Sequence, residues 1–111
     1  MSERNPLFIK NNVDENGNPS GGSVTSIGMC IDWQDGPLGR DWKSANPNGT
    51  FVDDVIEAAR QRLEFYQKAS NGKYACRENA LAITKLEEAL HWLQARRDAR
   101  EKRGVQGTHN A

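Results

Sequence analysis

The sequence predicts a mainly α protein: an antiparallel two-helix hairpin over residues 50–103, preceded by an irregular N-terminal arm that contains a short β-strand, with copies of the chain assembled as a homo-oligomer. Three observations carry this. Between Cys76 and Leu93, the residues Ile83, Leu86, Leu90 and Leu93 recur at steps of three and four, which places them on one face of a 3.6-residue helix. A second run of the same period, from Phe51 to about Lys68, stops just before Asn71-Gly72, and Ala69 to Lys73 has the length that joins antiparallel helices. The third is size: of 111 residues, roughly a third or more is too polar and glycine-rich to add to a core. A lone two-helix hairpin buries little apolar surface, so copies of the same chain are expected to complete its seam.

Residues Met1 to Ser23 carry Asn, Gly, Pro, Ser and Asp at a density that cannot offset the entropy of ordering, so a flexible arm is expected there. Two versions fit: a disordered tail, or a strap in which Leu7, Phe8 and Ile9 dock on a neighbouring subunit. From Val24 to Trp33, the side chains Ile27, Met29, Ile31 and Trp33 fall at period two and suit a short half-buried strand, open to pairing with a copy of itself. The loop that completes residues 24–49 is punctuated by Asp35-Gly36-Pro37, Leu38-Gly39 and Pro47-Asn48-Gly49, successive turn signals that leave no room for a long element. Within it, Trp33 and Trp42 flank Gly36, Pro37, Gly39 and Arg40. Aromatic rings beside glycines and a guanidinium can stack a flat ring and bring backbone N–H groups to a phosphate; equally, both tryptophans can plug the hairpin.

Thr50 followed three residues later by Asp53 is a capping pair, so the first long helix should begin at Phe51. Its expected buried stripe is Val52, Val55, Ile56, Ala59, Leu63 and Tyr66, with Asp54, Glu57, Arg60, Gln61, Glu64 and Gln67 facing outward or toward a partner. The second helix should run from near Ala75 to Arg103 and end at Gly104. Past Leu93 it is almost wholly charged, with Arg96, Arg100 and Arg103 on one face: a solvated helix end paired with Asp98 and Glu101, or a strip facing phosphate. Residues 104–111 form a C-terminal tail.

Composition removes several functions. Fifteen basic and fifteen acidic side chains cancel, so the broad positive field needed to hold polymeric nucleic acid is absent. No apolar run approaches the ~20 residues of a membrane span, and MSERNPLFIK lacks the layout of a signal peptide, so a soluble intracellular protein is expected. Cys30 and Cys76 lack zinc-site spacing and read as small packed residues, with a disulfide or redox role as the alternative. His91 and His109 have no nucleophile at a spacing the sequence vouches for, the helix carboxylates read as caps and solvated faces, and there is neither a P-loop nor GxGxxG. No enzyme, cofactor or metal site is therefore expected.

Binding remains. Arg60 and Arg62 lie late in the first helix; Arg77, Asn79 and Thr84 lie early in the second, where unpaired N–H groups and the positive dipole end gather. Antiparallel packing sets the end of one helix beside the start of the next. Arginine forks grip phosphate, Asn offers donor and acceptor to a base edge, and together they suit a small phosphorylated nucleotide. Arg77 has an alternative use as the ion-pair partner of a glutamate such as Glu64 across the hairpin.

The segment RENALAITKLEEALHWL, preceded by RLEFYQ and followed by an arginine-rich end and RGVQGTH, resembles the helical-hairpin domain shared by phage-encoded sponges of the anti-CBASS and anti-Thoeris type. The resemblance covers roughly Phe51 to Leu93. It implies a non-catalytic phage protein that forms dimers and then hexamers in the cytoplasm of the infected bacterial host. There it would sequester cyclic oligonucleotide or cyclic ADP-ribose signals so that the defence effector is never activated. It further implies that Arg77 and Thr84, with Arg60 or Arg62, hold phosphates where protomers meet, and that residues of the amino-terminal part serve a second site. The WQDGPLGRDW loop departs from the amino-terminal halves of that family. Two competing classes are an oligomeric hairpin module that binds a host protein along its Glu-rich face, and a single-stranded nucleic-acid binder that stacks bases on Trp33 and Trp42.

Overall fold

The computed structural model describes residues 6–35 and 48–104. The chain falls into two compact units, a β unit that reaches Phe51 and a helical unit, Val52–Lys102.

The β unit is an antiparallel meander of β1 (Phe8–Val13), β2 (Pro19–Ser26) and β3 (Met29–Trp33) in the order β1-β2-β3. The stretch expected to be an arm without regular structure thus holds β1 and most of β2. What organises it is turn chemistry rather than burial. Asp14 accepts from the backbone N–H of Asn16 and of Asn18, each at 2.9 Å, through Oδ1, and its own N–H donates to the Asn18 carbonyl at 2.9 Å. An Asx turn of this kind closes a hairpin whose strands need little core. All six residues of β1 are exposed, so a density argument based on apolar content could not find it. The run Val24 to Trp33, expected as one strand, is cut in two by Ile27-Gly28, where Gly28 takes φ 79° and Ser26 pairs with Met29. Its two parts pair with each other, residues 24–26 of β2 against residues 29–31 of β3. Gly22 is needed where β2 bulges against β1: a Cβ there would stand 2.1 Å from the Lys10 carbonyl oxygen.

Register gives the sheet two different faces. Ile9, Val24 and Ile31 form one cross-strand row, and Asn11, Gly22 and Trp33 the next, on the same apolar face. Lys10, Ser23 and Asp32 lie on the other. The end of β3 is bridged on its outer side: the Thr50 N–H donates to the Asp32 carbonyl at 2.7 Å and the Gln34 N–H to the Thr50 carbonyl at 3.0 Å. Asn48 and Gln34 reinforce this closure, the Asn48 side chain accepting from Asp35 N–H at 2.7 Å and Gln34 Oε1 accepting from Asn48 N–H at 2.9 Å.

In the helical unit, α1 (Val52–Gly72) begins two residues after Thr50, whose backbone is committed to β3. Its regular part stops at Lys68: Ala69 is extended, and Ser70 and Asn71 take φ of 52° and 57°, reversing the chain. Then α2 (Arg77–Arg103) follows, closed by Gly104 with φ 73°. Three contacts define an antiparallel hairpin. Asp53 pairs with Arg97, Glu87 stands 3.9 Å from Arg60, and Gln67 bonds Cys76 through both its amide groups, at 3.1 and 2.9 Å.

The expected α2 stripe lies inside this hairpin, with Ile83 buried and Leu86, Leu90 and Leu93 half-buried. On α1 the sequence reading needs correction. Val55, Ile56 and Leu63 are half-buried, but Val52, Ala59 and Tyr66 are exposed, while Glu57, Arg60, Glu64 and Gln67, expected outward or toward a partner, are half-buried. The polar staples set the rotation of α1, so part of its apolar sector is turned away from α2. Among the described residues, no helix is long and apolar enough to cross a membrane.

Candidate functional site

Arg60 does not present a free fork. Its Nε donates to Glu57 Oε1 at 3.0 Å and its Nη2 to Oε2 at 2.7 Å, a bidentate pair one helical turn apart. Gln61 Nε2 adds a third bond to the same carboxylate at 2.7 Å. The Arg60 pair, followed by the Gln61 bond, holds the Glu57 carboxyl at about 2, and the same pair raises the Arg60 guanidinium above its ordinary value. With Glu87 3.9 Å away, Arg60 is an interhelical staple.

Arg62 points to another flank. Its Nε donates to the Tyr66 hydroxyl at 3.1 Å, and its guanidinium lies 5.0 Å from the Phe65 ring centre and 4.9 Å from that of Tyr66. Phe65 and Tyr66 are themselves 55% and 39% exposed, so this stacked set is a surface feature.

The turn end of the hairpin has a different character. Cys76 caps α2: its carbonyl accepts from Ala80 N–H at 3.2 Å and its Sγ from Asn79 N–H at 3.4 Å, the role more often played by Ser or Asp. Arg77 is the first residue of the 27-residue helix, exposed, and without a hydrogen bond or ion pair among the described residues. The glutamate considered as its partner, Glu64, pairs instead with Lys68 at 3.6 Å. A guanidinium at the positive end of a helix dipole adds charge where the backbone already favours an anion. Asn79 is half-buried on the seam side, and the Thr84 hydroxyl donates to the Ala80 carbonyl at 3.2 Å, leaving its lone pairs as acceptors until it rotates.

Within the helical unit, Arg60 and Arg77 are not brought together. Arg60 stands level with Glu87, ten residues or about 15 Å along α2 from Arg77. Trp33 is half-buried at the end of β3, beside Gly22 in the sheet register. Arg40 and Trp42 lie outside the described residues. Of the arginines past Leu93, Arg100 is buried, Arg97 is held by Asp53 and by Gln94 at 2.6 Å, and Arg96 is exposed without a partner among the described residues. The residues missed by sequence reasoning are the staples Asp53, Glu57, Gln67 and Arg97. For Glu57 the signal was its i,i+3 spacing to Arg60; for Asp53, Gln67 and Arg97 it was the matching of polar positions across the turn, visible only once the register of the hairpin is known.

The polar-stapled helical hairpin carries at its turn end an arginine without a partner among the described residues. The Acb2/Tad1 hairpin domain matches residues 29–97, and the chain belongs to that family. It is also 53% identical over 62 residues to Thoeris anti-defense 1 of Bacillus phage SBSphiJ7, a match covering 56% of this chain and 42% of the relative. The matched part therefore spans less than half of the relative's length.

Proposed function

We propose that this protein binds and sequesters cyclic nucleotide second messengers of bacterial anti-phage defence, cyclic oligonucleotides or cyclic ADP-ribose isomers, without degrading them. It acts in the cytoplasm of the infected host as a homo-oligomer, dimer to hexamer. The observation that carries this is Arg77: an exposed guanidinium at the head of α2, within the family's hairpin, that no carboxylate claims among the described residues. The name of the phage relative supports the setting. Arg77 binds a phosphate oxygen pair, Thr84 turns its hydroxyl to donate, and copies of the chain complete the pocket that a single hairpin leaves open. Retention needs slow release rather than chemistry, and several symmetry-related arginines supply it. Arg60 keeps its seat against Glu57 and acts on the site only by holding the helices in register.

The test is calorimetric or thermal-shift titration of the full chain with a panel of cyclic di- and trinucleotides and cyclic ADP-ribose isomers. A ligand at a hundred times its Kd stabilises the fold by about 2.7 kcal/mol. Arg77→Ala should abolish cyclic trinucleotide binding with the oligomer intact. Silence across the whole panel sinks the proposal, and dissociation of the variant returns Arg77 to a structural role. A host-protein interaction module is the second reading, favoured by the exposure of Trp92 at 69% and Tyr74 at 57%; it predicts no response to any small ligand.

A further inference from the structure

The two edges of the sheet are not equivalent. At β3 the return segment bonds the end of the strand, Thr50 pairing with Asp32 and Gln34 around Trp33. At β1 nothing among the described residues does so, and all six residues of Phe8–Val13 are exposed, Phe8 at 66%, Ile9 at 61% and Val13 at 66%. A bare edge offers alternate N–H and C=O groups as a template for another strand, and natural sheets guard such edges with charge, proline or a bulge in the edge strand. This strand has one charge, Lys10, and the bulge opposite it lies in β2, at the interior of the sheet.

We propose that β1 pairs antiparallel with β1 of a second copy, across a two-fold axis normal to the sheet at Asn11, to give a continuous six-stranded sheet. The sequence selects both the occupant and the register. A two-fold normal to the sheet keeps each face on its own side, so directly opposite residues belong to the same face. Centring on Lys10 would set two ammonium groups opposite each other, and centring on Asn12 would set Ile9 against the partner's Glu15. Centring on Asn11 places Ile9 opposite the partner's Val13 and Val13 opposite the partner's Ile9. These β-branched pairs continue the row formed by Ile9, Val24 and Ile31, while Lys10 faces the partner's Asn12. An unrelated peptide would need its own matching pattern; a second copy carries it already. The interface holds or fails without reference to the ligand proposed above.

Cysteine placement tests the register. In a full chain carrying Cys30→Ser and Cys76→Ser, Asn11→Cys brings the two thiols onto directly opposed positions, with Cα atoms about 4.5–5.5 Å apart, inside the disulfide range. Lys10→Cys and Asn12→Cys leave them displaced by two residues and beyond about 7 Å. Under mild oxidation, Asn11→Cys should form a disulfide dimer about tenfold faster than the other two, and the advantage should vanish in denaturant. Equal rates at all three positions, or no dimer at Asn11→Cys, overturn the proposal. Hydrogen exchange on the unaltered chain gives a second reading: alternate amides of β1 should be protected, with the protection lost on dilution. Free-edge exchange at every concentration also overturns it.

Discussion

Ile83 is the apolar side chain on which the hairpin turns, 7% exposed and flanked by Leu86 and Leu90, which are only half-buried. Truncation to Ala removes three carbons, worth about 2.4 kcal/mol at ~0.8 kcal/mol each. The cavity left behind adds to this, but a thin seam with half-open walls collapses more readily than a deep core, so the total should fall near 3 kcal/mol. Against a stability of about 5 kcal/mol, typical of the low end for small domains, that is most of what holds the unit together. The midpoint of thermal unfolding should drop by ~12–24 °C. Ile83→Val should cost about 1 kcal/mol. Lys85→Ala, whose side chain is 73% exposed in an i,i+3 pair with Glu88, should stay within ~0.5 kcal/mol. The assay is urea unfolding followed by helical circular dichroism at one fixed protein concentration, since self-association would otherwise shift the midpoint. If Ile83→Ala is no more costly than Lys85→Ala, the seam is not where the structure puts it.

The remaining predictions concern the polar staples. The Glu57 carboxyl, ordinarily near 4.5, is held at about 2 chiefly by its bonds to Arg60, so the stability it contributes is present in full above about 4.5 and lost as pH falls toward about 2. Glu57→Gln cannot titrate; the stability gap between it and the parent should be constant at neutral pH and shrink through that window, measured as thermal midpoints against pH. A gap that stays constant through the window would show that Glu57 carries no folded-state advantage when ionised. Gln67→Ala deletes both bonds to the Cys76 backbone and should cost about 1 kcal/mol in chemical denaturation, since each exposed bond lies at the lower end of the net range. Cys76→Ser should preserve or improve the start of α2, because a hydroxyl caps a helix better than a thiol, and a loss of helicity would show that the thiol does something the cap does not.

How far the sequence disclosed this protein varies along the chain. The α2 stripe and the end of regular helix at Lys68 were legible because period and turn residues coincide there. The rotation of α1 was not. Hydrophobic periodicity gathered Val52, Ala59 and Tyr66 with Ile56 and Leu63, yet the hairpin is pinned by Asp53–Arg97, Arg60–Glu87 and Gln67–Cys76, polar pairings that no window along one helix contains. The β meander escaped for a different reason. Its strands are stabilised by an Asx turn at Asp14, a left-handed Gly28 and a glycine bulge, while compositional reasoning counts burial, of which β1 has none. Among the candidate site residues, chemistry alone suggested arginines but could not tell an engaged one from a free one. Arg60 and Arg77 look alike in sequence; a carboxylate one turn away occupies the first, and nothing in the described chain occupies the second. The same pairing of like-looking residues recurs in the arginine-rich end, where Arg100 is buried and Arg96 exposed.

The central claim is retention without chemistry, and a depletion-and-recovery experiment tests it most directly. A cyclic nucleotide of the titrated panel is mixed with excess protein, the free ligand is quantified after ultrafiltration, the protein is then denatured, and the ligand is quantified again. Free ligand should fall sharply on mixing and return intact and in full on denaturation, with Arg77→Ala leaving it free throughout. Failure of the protein to deplete any ligand of the panel, or recovery of a cleaved product, contradicts that claim.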